Sequence, residues 1–391
     1  MSGPAVTQSL ALLRQLIAFP SVSRTPNIEL IQLVKEILAK AGISSTLVAD
    51  PQDPKRSNLF ASVGPEGVSG VMLSGHTDVV PVTGQPWTMP PFEAAERDGR
   101  IYGRGTADMK GFVACAVAAM VRASALPLKR PLQLALSFDE EVGCVGVRHL
   151  LRALEGKMPA PSLCLVGEPT LMQIGTGHKG KAAYRAVCCG QAGHSGLAPR
   201  FANAIHTAAD LVAAMRDIQR ELADSGPRDE GYSIPYTTVH AGVIQGGVAL
   251  NVVPDRCEVS FEVRNVLEDN PEAIVARILE RTAQRMREAG PAVERAAPTV
   301  EQVNGYPGLR SDDDAEAIAR LAALLPKGTA CTRVDYGSEG GLFKQSWRAT
   351  SVLVCGPGSI GVAHKADEYV ELSQLATCDA LLTALADSLC H

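Results

Sequence analysis

Short, continuously apolar runs in the first half of the chain restrict the possible fold most strongly. They lack the alternation of a strand that has one face in water, and patterns typical of helices separate them. Strands of this kind occur in largely parallel sheets whose two faces are both covered by helices. We therefore predict an α/β domain with its functional groups at the carboxyl ends of the strands. The runs are NLFASVG (58–64), GVMLSGH (70–76), LQLALSFD (132–139) and SLCLVGE (162–168).

The middle of the chain has a different order of elements. A strand after Gly177 is followed by a helical pattern, two further strands, a second helical pattern and a last strand near 292–300. The order β, α, β, β, α, β is typical of a ferredoxin-like α+β domain. We expect residues 178–300 to form this domain as an insertion, and residues 1–177 and 301–391 to form the catalytic domain.

Composition argues against several classes of protein. The 391 residues carry a formal net charge of −5 without a run of lysine or arginine, so nucleic acid is not an expected partner. No apolar stretch reaches the roughly 20 residues that span a bilayer, and residues 1–18 lack the pattern of a secretion signal. We expect no membrane contact and a cytoplasmic location. The 10 cysteines are scattered without a CxxC pair, which predicts buried thiols and no disulfide frame.

Residues that commonly bind metal ions follow several of the predicted strands. Alone, each has an ordinary explanation, such as a core histidine or a carboxylate that caps a helix. Together, at the carboxyl ends of separate strands, they would meet at one edge of the sheet. Imidazole and carboxylate groups suit Zn²⁺ or a similar divalent ion, and five ligands suit two ions that share one carboxylate. The candidates are His76, Asp78, Asp108, the run Asp139, Glu140 and Glu141, then Glu168 and His364.

Six short motifs, in this order along almost the whole chain, resemble those of the M20 family of dinuclear metallopeptidases and deacylases. The resemblance implies a catalytic domain with an inserted dimerisation (lid) domain, two divalent ions, Zn²⁺ or Co²⁺, and a small-molecule N-acyl amino acid substrate. It also implies a homodimer that pairs through the insert. The motifs are SGHTDVVP, GRGTADMKG, DEEVG, GEPT, GHSGLAP and GPGSIGVAHKADEY.

The resemblance implies a role for each candidate in the catalytic domain. One ion would be held by His76 and Glu168, the other by Glu141 and His364, and Asp108 would bridge them. Asp78 would support His76, and the peptide after Asp108 would be cis. Glu140 would be the general base, a role that suits a carboxylate adjoining a ligand but not needed as one. Burial beside other anions should raise its pKa.

Further residues are expected to contact the substrate. His194 in GHSGLAP would reach the partner subunit's active site and bind the oxyanion, although from the residues alone it is equally a surface histidine. Arg264 and Asn251 match family positions that contact the substrate's carboxylate, and an arginine fork suits that task. Glu339 would either bind a side-chain ammonium of the substrate or be structural. Asp139 and His178 have no assigned role.

Within the family, VDYGSEGGLFKQ and the C-terminal motif most resemble the acetylornithine deacetylase branch. That branch implies hydrolysis of N2-acetyl-L-ornithine to L-ornithine and acetate in arginine biosynthesis. Alternatives are another N-acyl-amino-acid amidohydrolase, a desuccinylase, or a carboxypeptidase or dipeptidase. A catalytically inactive binding protein on the same fold is disfavoured, because all five ligand positions and Glu140 are present.

Overall fold

The computed structural model describes residues 4–288 and 296–391. Helices and strands alternate through much of the chain. The helices are α1 (Pro4–Ile17), α2 (Ile28–Lys40), α3 (Gly111–Ala123), α4 (Val145–Leu154), α5 (Ala204–Ser225), α6 (Pro271–Glu288), α7 (Ala315–Ala323), α8 (Gly340–Ser346) and α9 (Leu372–Ser388). The strands are β1 (Ser45–Ala49), β2 (Ser57–Val63), β3 (Val71–His76), β4 (Ala95–Arg97), β5 (Arg100–Tyr102), β6 (Leu132–Ser137), β7 (Leu163–Pro169), β8 (Ile174–His178), β9 (Gly180–Cys189), β10 (Gly193–His194), β11 (Thr238–Gly246), β12 (Val252–Val253), β13 (Arg256–Asn265), β14 (Thr299–Tyr306), β15 (Leu309–Arg310), β16 (Cys331–Val334), β17 (Ser351–Gly356) and β18 (Tyr369–Glu371).

Within the described residues the chain divides into two compact units. The first contains Met1–His178, Leu309–Val334 and Ser338–His391, and the second contains Lys179–Gly308 and Asp335–Gly337.

The first unit is built on one large sheet with the order β1, β2, β6, β3, β7, β17, β8, β15, in which β16 also pairs with β8. Its centre is parallel, since β6, β3, β7 and β17 pair in that sense. Strands β3, β6 and β7 are buried along their whole length, which explains their continuously apolar sequences. The predicted α/β class is therefore confirmed. The edges differ, because β1 with β2 and β2 with β6 are antiparallel.

Helix α3 packs with α1 and α9, and α4 packs with α8. The small residues of α3 let this helix lie close to the sheet, and its Phe112 ring lies directly over Gly167 of β7. A Cβ atom at Gly167 would be 1.9 Å from the Cγ atom of Phe112. This close approach brings the start of α3 next to the end of β7, so the two elements that carry Asp108 and Glu168 are adjacent.

The second unit contains an antiparallel sheet with the order β11, β13, β9, β14. Burial alternates along β9 and β13, so one face of the sheet packs on a core and the other is more exposed. Helices α5 and α6 pack against each other, and buried residues of both share a core with Tyr184 and Phe261 of the sheet. The chain order β9, α5, β11, β13, α6, β14 is the predicted ferredoxin-like plan.

The second unit extends past the predicted boundary at residue 300. Strand β14 continues to Tyr306 because it pairs with β9 as far as Lys181. The last predicted strand, near 292–300, falls partly on residues 289–295, which lie outside the described residues; its observed counterpart begins at Thr299. The short segment Asp335–Gly337 also belongs to this unit.

A small sheet of β18, β5 and β4 in the first unit was not predicted. Its ladder pairs Tyr369 with Tyr102 and Glu371 with Arg100. The segment that leads to Asp108 is thereby held beside the segment that follows His364.

Among the described helices, none combines the length and the apolar character that a bilayer crossing requires.

Candidate metal centre

All five predicted ligands lie at the same end of the large sheet. His76 ends β3, Glu168 lies near the end of β7, and Glu141 follows β6 after a short turn. His364 lies in the loop after β17. Because these four strands run parallel at the centre of the sheet, their carboxyl ends share one edge. Asp108 joins them from a single irregular helical turn, Thr106–Lys110, that precedes α3, and the Asp108–Met109 peptide is cis as the resemblance implies.

His76, Asp108 and Glu168 form the first group that could hold a metal ion, and all three are buried. The Nε2 atom of His76 lies 3.0 Å from Oδ1 of Asp108 and 3.8 Å from Oε1 of Glu168. The Nδ1 atom of His76 lies 2.9 Å from the main-chain oxygen of Asp78. A hydrogen bond there leaves Nε2 as the nitrogen directed to the ion.

Asp108, Glu141 and His364 form the second group. The Nε2 atom of His364 lies 3.1 Å from Oδ2 of Asp108 and 3.1 Å from Oε1 of Glu141. The side chain of His364 is 47% exposed, so this group is open to solvent while the first is not. The Oδ1 atom of Asp108 faces the first group and its Oδ2 atom faces the second, which is the arrangement of a bridging carboxylate.

The spacing of these atoms fits divalent cations. Around a tetrahedral zinc ion with bonds of about 2.0–2.2 Å, ligand atoms lie about 3.3 Å from one another. The observed separations of 3.0 to 3.8 Å scatter around that value. The donor set is also chemically suitable, because it mixes imidazole nitrogens and carboxylate oxygens.

The charges of the two groups are balanced only in part by the chain itself. Burial and the charge of Asp108 raise the pKa of Glu141 to about 7, and the same two causes raise the pKa of Glu168. Hydrogen bonds to Asp108 and Glu141 raise the pKa of His364 to about 10. Burial opposes protonation of His76, but Asp108 and the nearby carboxylates raise its pKa overall. In the ion-free protein, protons on His76 and His364 thus supply positive charge where bound metal ions would otherwise supply it.

The carboxylate of Asp78 lies near its expected partner, His76, but is not hydrogen-bonded to it. Its Oδ1 atom lies 3.6 Å from Nδ1 of His76, beyond hydrogen-bonding distance. Instead Oδ1 accepts the main-chain N–H of Glu140 at 3.0 Å, and Oδ2 accepts that of Glu141 at 3.3 Å. The Ser23 hydroxyl also donates to Oδ2, at 2.7 Å. Asp78 therefore supports His76 through its main-chain carbonyl and fixes the acidic turn through its side chain.

Glu140, which precedes Glu141 in the acidic turn, is buried but belongs to neither group of candidate ligands. Burial raises its pKa to about 8, and the charges of Glu141 and Glu339 contribute. The thiol of Cys144 donates to its Oε1 atom over 3.3 Å. Cys144 was not predicted to take part, because three residues of turn separate it from Glu140 and only the fold shows that the two side chains meet.

Asp139, which had no assigned role, is held by two donors. The main-chain N–H of Arg24 donates to its Oδ1 atom at 2.5 Å, and Nη1 of Arg56 donates to Oδ2 at 2.5 Å. Arg56 also pairs with the buried carboxylate of Asp50 at 2.5 Å. The three neighbouring acids 139–141 therefore have different surroundings: an arginine, a thiol and a histidine.

Glu339 is only 2% exposed, and the Ser74 hydroxyl donates to its Oε2 atom over 3.1 Å. Burial raises its pKa to about 7. This location is compatible with both roles expected for Glu339, which stay predictions.

The remaining predicted residues lie in the second unit, apart from His178, which is buried at the end of β8. His194 and Asn251 are exposed and adjacent, since β10 pairs with β12 and the Ser195 N–H donates to the main-chain oxygen of Asn251. Arg264, on β13, bonds to Glu262 at 3.0 Å and to the Tyr306 hydroxyl at 3.3 Å.

Comparison with known proteins places the sequence among amide hydrolases. Residues 72–388 match the profile described as Peptidase family M20/M25/M40. The chain is 34% identical over 384 residues to an acetylornithine deacetylase from Myxococcus xanthus, with 97% of each chain covered. It is 30% identical over 392 residues to an acetylornithine deacetylase from Photorhabdus laumondii, again with 97% of each covered.

Solved structures with low sequence identity share the fold. An M20 family metallo-carboxypeptidase from Sulfolobus solfataricus superposes with a TM-score of 0.79 at 18% identity, over 98% of this chain and 99% of that chain. Human carnosine dipeptidase 1 gives a TM-score of 0.74 at 17% identity, over 98% and 97%.

The Arg56 contacts lead to a prediction for the ion-free protein. We expect Arg56→Met to lower the free energy of unfolding by about 3 kcal/mol, because it leaves buried carboxylates without their guanidinium. The loss should be larger at pH 7 than at pH 5. Burial already raises the pKa of Asp139, and removal of Arg56 would raise it further, so a proton relieves the unpaired charge as the pH falls. Urea unfolding at both pH values, with chelator present, measures the effect.

Arg14→Met is the matched control, because the Arg14–Glu96 pair is 42% exposed on both sides and should contribute little. If Arg56→Met lost as little unfolding free energy as the control, or if its loss did not depend on pH, Arg56 would not be compensating the buried carboxylates.

Proposed function

The chain belongs to peptidase family M20/M25/M40 and is a hydrolase of amide bonds, and from this premise we propose that it converts N2-acetyl-L-ornithine and water to L-ornithine and acetate. That reaction would place it in arginine biosynthesis. The substrate assignment is supported by the two relatives that match it over nearly their full length. The hydrolytic chemistry is supported by one observation above all: Asp108 directs one oxygen to each of two ligand groups, beside the buried carboxylate of Glu140.

We propose that His76, Asp108 and Glu168 hold one divalent ion, and that Asp108, Glu141 and His364 hold another, Zn²⁺ or Co²⁺. When bound, such ions polarise the acyl carbonyl and lower the pKa of the attacking water. Glu140 then accepts the water's proton and returns it to the nitrogen of the leaving amine. Burial suits Glu140 to this exchange because it keeps the carboxyl pKa near neutrality, and the added positive charge would lower that pKa from its ion-free value of about 8.

Residues of the second unit would complete the site. We propose that Arg264 and Asn251 bind the substrate's carboxylate and that His194 stabilises the oxyanion in the active site of a partner subunit. A homodimer through the second unit is supported by β11, which is an edge strand. Val243 and Ile244 on this strand are exposed, and the turn after it presents Val248 and Leu250 at 90% and 101% exposure. An edge of this kind, with unpaired main-chain groups and apolar side chains, favours pairing with a second chain.

A substrate panel on metal-loaded protein tests the substrate assignment. N2-acetyl-L-ornithine should have the highest kcat/KM, at least about tenfold above N2-acetyl-L-norvaline, which has the same carbon chain without the ammonium group. N-succinyl-diaminopimelate and a dipeptide represent the other branches of the family. If the enzyme cleaved one of these two compounds rapidly and did not hydrolyse acetylornithine, its substrate would be that of the corresponding branch. Lack of any amide hydrolysis by protein that holds its ions would contradict the proposed chemistry.

Two adjacent isosteric substitutions separate the general base from a ligand. Glu140→Gln should retain both ions and lose at least about 100-fold in kcat, because only proton transfer is removed. Glu141→Gln should weaken the binding of one ion, because it removes a negative ligand atom. Ion content after dialysis and the initial rate are measured on both variants. Equal loss of ions in the two would contradict their separate roles.

Mixing inactive variants tests whether His194 acts across a dimer. In a mixture of His194→Ala and Glu140→Gln proteins after subunit exchange, half of the dimers would contain one intact site, so activity should recover to about a quarter of the wild-type value. Sedimentation equilibrium verifies the dimer. A monomer would contradict the proposed assembly, and a dimer without recovery would contradict action in the partner's site.

A further inference from the structure

Glu368, four residues after His364, is a buried carboxylate whose contacts all involve the loop that carries Asp108. It is 1% exposed. Its Oε1 atom accepts the main-chain N–H groups of Ala107 at 2.9 Å and Asp108 at 3.1 Å. Its Oε2 atom accepts the N–H of Gly105 at 3.0 Å and Nη1 of Arg104 at 2.7 Å. One side chain thus accepts three main-chain N–H groups from the segment 105–108, which includes the shared ligand Asp108.

The main chain around Glu368 is joined to the same loop. The N–H of Gly103 donates to the main-chain oxygen of Glu368 at 2.9 Å, and Nη1 of Arg104 reaches the main-chain oxygen of Lys365 at 3.2 Å. Beyond these contacts, β18 pairs with β5. Since Asp108 lies on one side of this junction and His364 on the other, the contacts fix the two ligands relative to each other.

A third segment supports the same junction. Nε2 of Gln85 donates to the main-chain oxygen of His364 at 2.9 Å, and its Oε1 atom accepts from Arg104. Trp87 lies under the Arg104 guanidinium, with 5.0 Å between the guanidinium carbon and the ring centre. Asp367 accepts the N–H of Thr88 at 2.9 Å. The Arg104–Glu368 pair is therefore at the centre of a network that ends on the main chain of His364.

We propose that Glu368 is a positioning residue for the metal centre: through Asp108 and His364 it sets the distance between the two ligands of the solvent-open ion. The proposal rests on the proposed function in that it requires both ions to bind. A carboxylate is needed because all four surrounding groups are donors. A glutamine has one acceptor oxygen, so either orientation of its amide would direct an NH₂ group at donors on one side.

Glu368→Gln should weaken ion binding by roughly 10- to 100-fold, the range typical of residues that orient ligands. Binding of Zn²⁺ to the apoprotein, in competition with a chromophoric chelator, measures this without reference to activity. Hydrogen exchange should become faster in the peptide that covers residues 103–109. If Glu368→Gln does not fold, Glu368→Asp replaces it, because aspartate keeps both oxygens on a shorter side chain. We expect this variant to show a smaller loss of Zn²⁺ affinity and a smaller increase in hydrogen exchange.

Asp379→Asn is the matched control for loss of a buried carboxylate. Asp379 accepts from Ser9 at 2.6 Å and from Arg122 at 3.4 Å, and all three lie on helices, not on ligand loops. It should lower thermal stability but leave Zn²⁺ affinity within about twofold, because no ligand loop loses a support.

The outcomes separate this inference from the proposed function. Wild-type protein that does not bind two ions would contradict the proposed metal centre. Suppose instead that the wild-type protein binds two ions. The positioning role of Glu368 alone would then be contradicted if Glu368→Gln bound Zn²⁺ with wild-type affinity, or if Asp379→Asn lost as much Zn²⁺ affinity as Glu368→Gln.

Discussion

Repulsion among buried carboxylates is the constraint on which the rest of the first unit depends. Asp108, Glu141 and Glu168 meet at the edge of a sheet whose strands are buried on both faces. Anions in such surroundings are costly unless a positive charge lies among them. The two histidines can supply it only while protonated, and an imidazole that binds a metal must be neutral. Divalent cations satisfy all the groups at once, which is why the geometry favours a dinuclear centre over a structural cluster.

The acidic run 139–141 shows how neighbouring side chains of like charge acquire different surroundings. A turn directs three successive side chains to different partners: Asp139 to Arg56, Glu140 to Cys144, and Glu141 to His364. The Asp78 carboxylate fixes the turn by accepting two of its N–H groups. The separate roles proposed for Glu140 and Glu141, proton transfer and ion binding, are compatible with this arrangement because the main chain of both residues is held in place.

The sequence was sufficient for the features that depend on local pattern. Continuous apolar runs predicted β3, β6 and β7, and the polar residue after each run predicted which side chains would meet. The contacts that orient those side chains depend on pairings distant in sequence and were not predictable. Asp139 meets Arg24 and Arg56, β5 meets β18, and Glu368 meets the N–H of Asp108. Glu368 does lie in a motif with His364, but a single chain gives no sign that its carboxylate faces main-chain donors. The boundary of the second unit was also missed, because β14 continues to Tyr306 by pairing with β9.

The proposed metal centre depends on the shared carboxylate of Asp108, and a count of the bound ions is a direct test of it. Wild-type protein and the Asp108→Asn variant, each loaded with Zn²⁺ and dialysed, are compared by elemental analysis for ions per chain. If Asp108 bridges two ions, the wild-type chain should hold two, and the variant should lose affinity at both sites because one residue serves both groups. A single ion in the wild type, or a variant that keeps one site at full affinity, would contradict it.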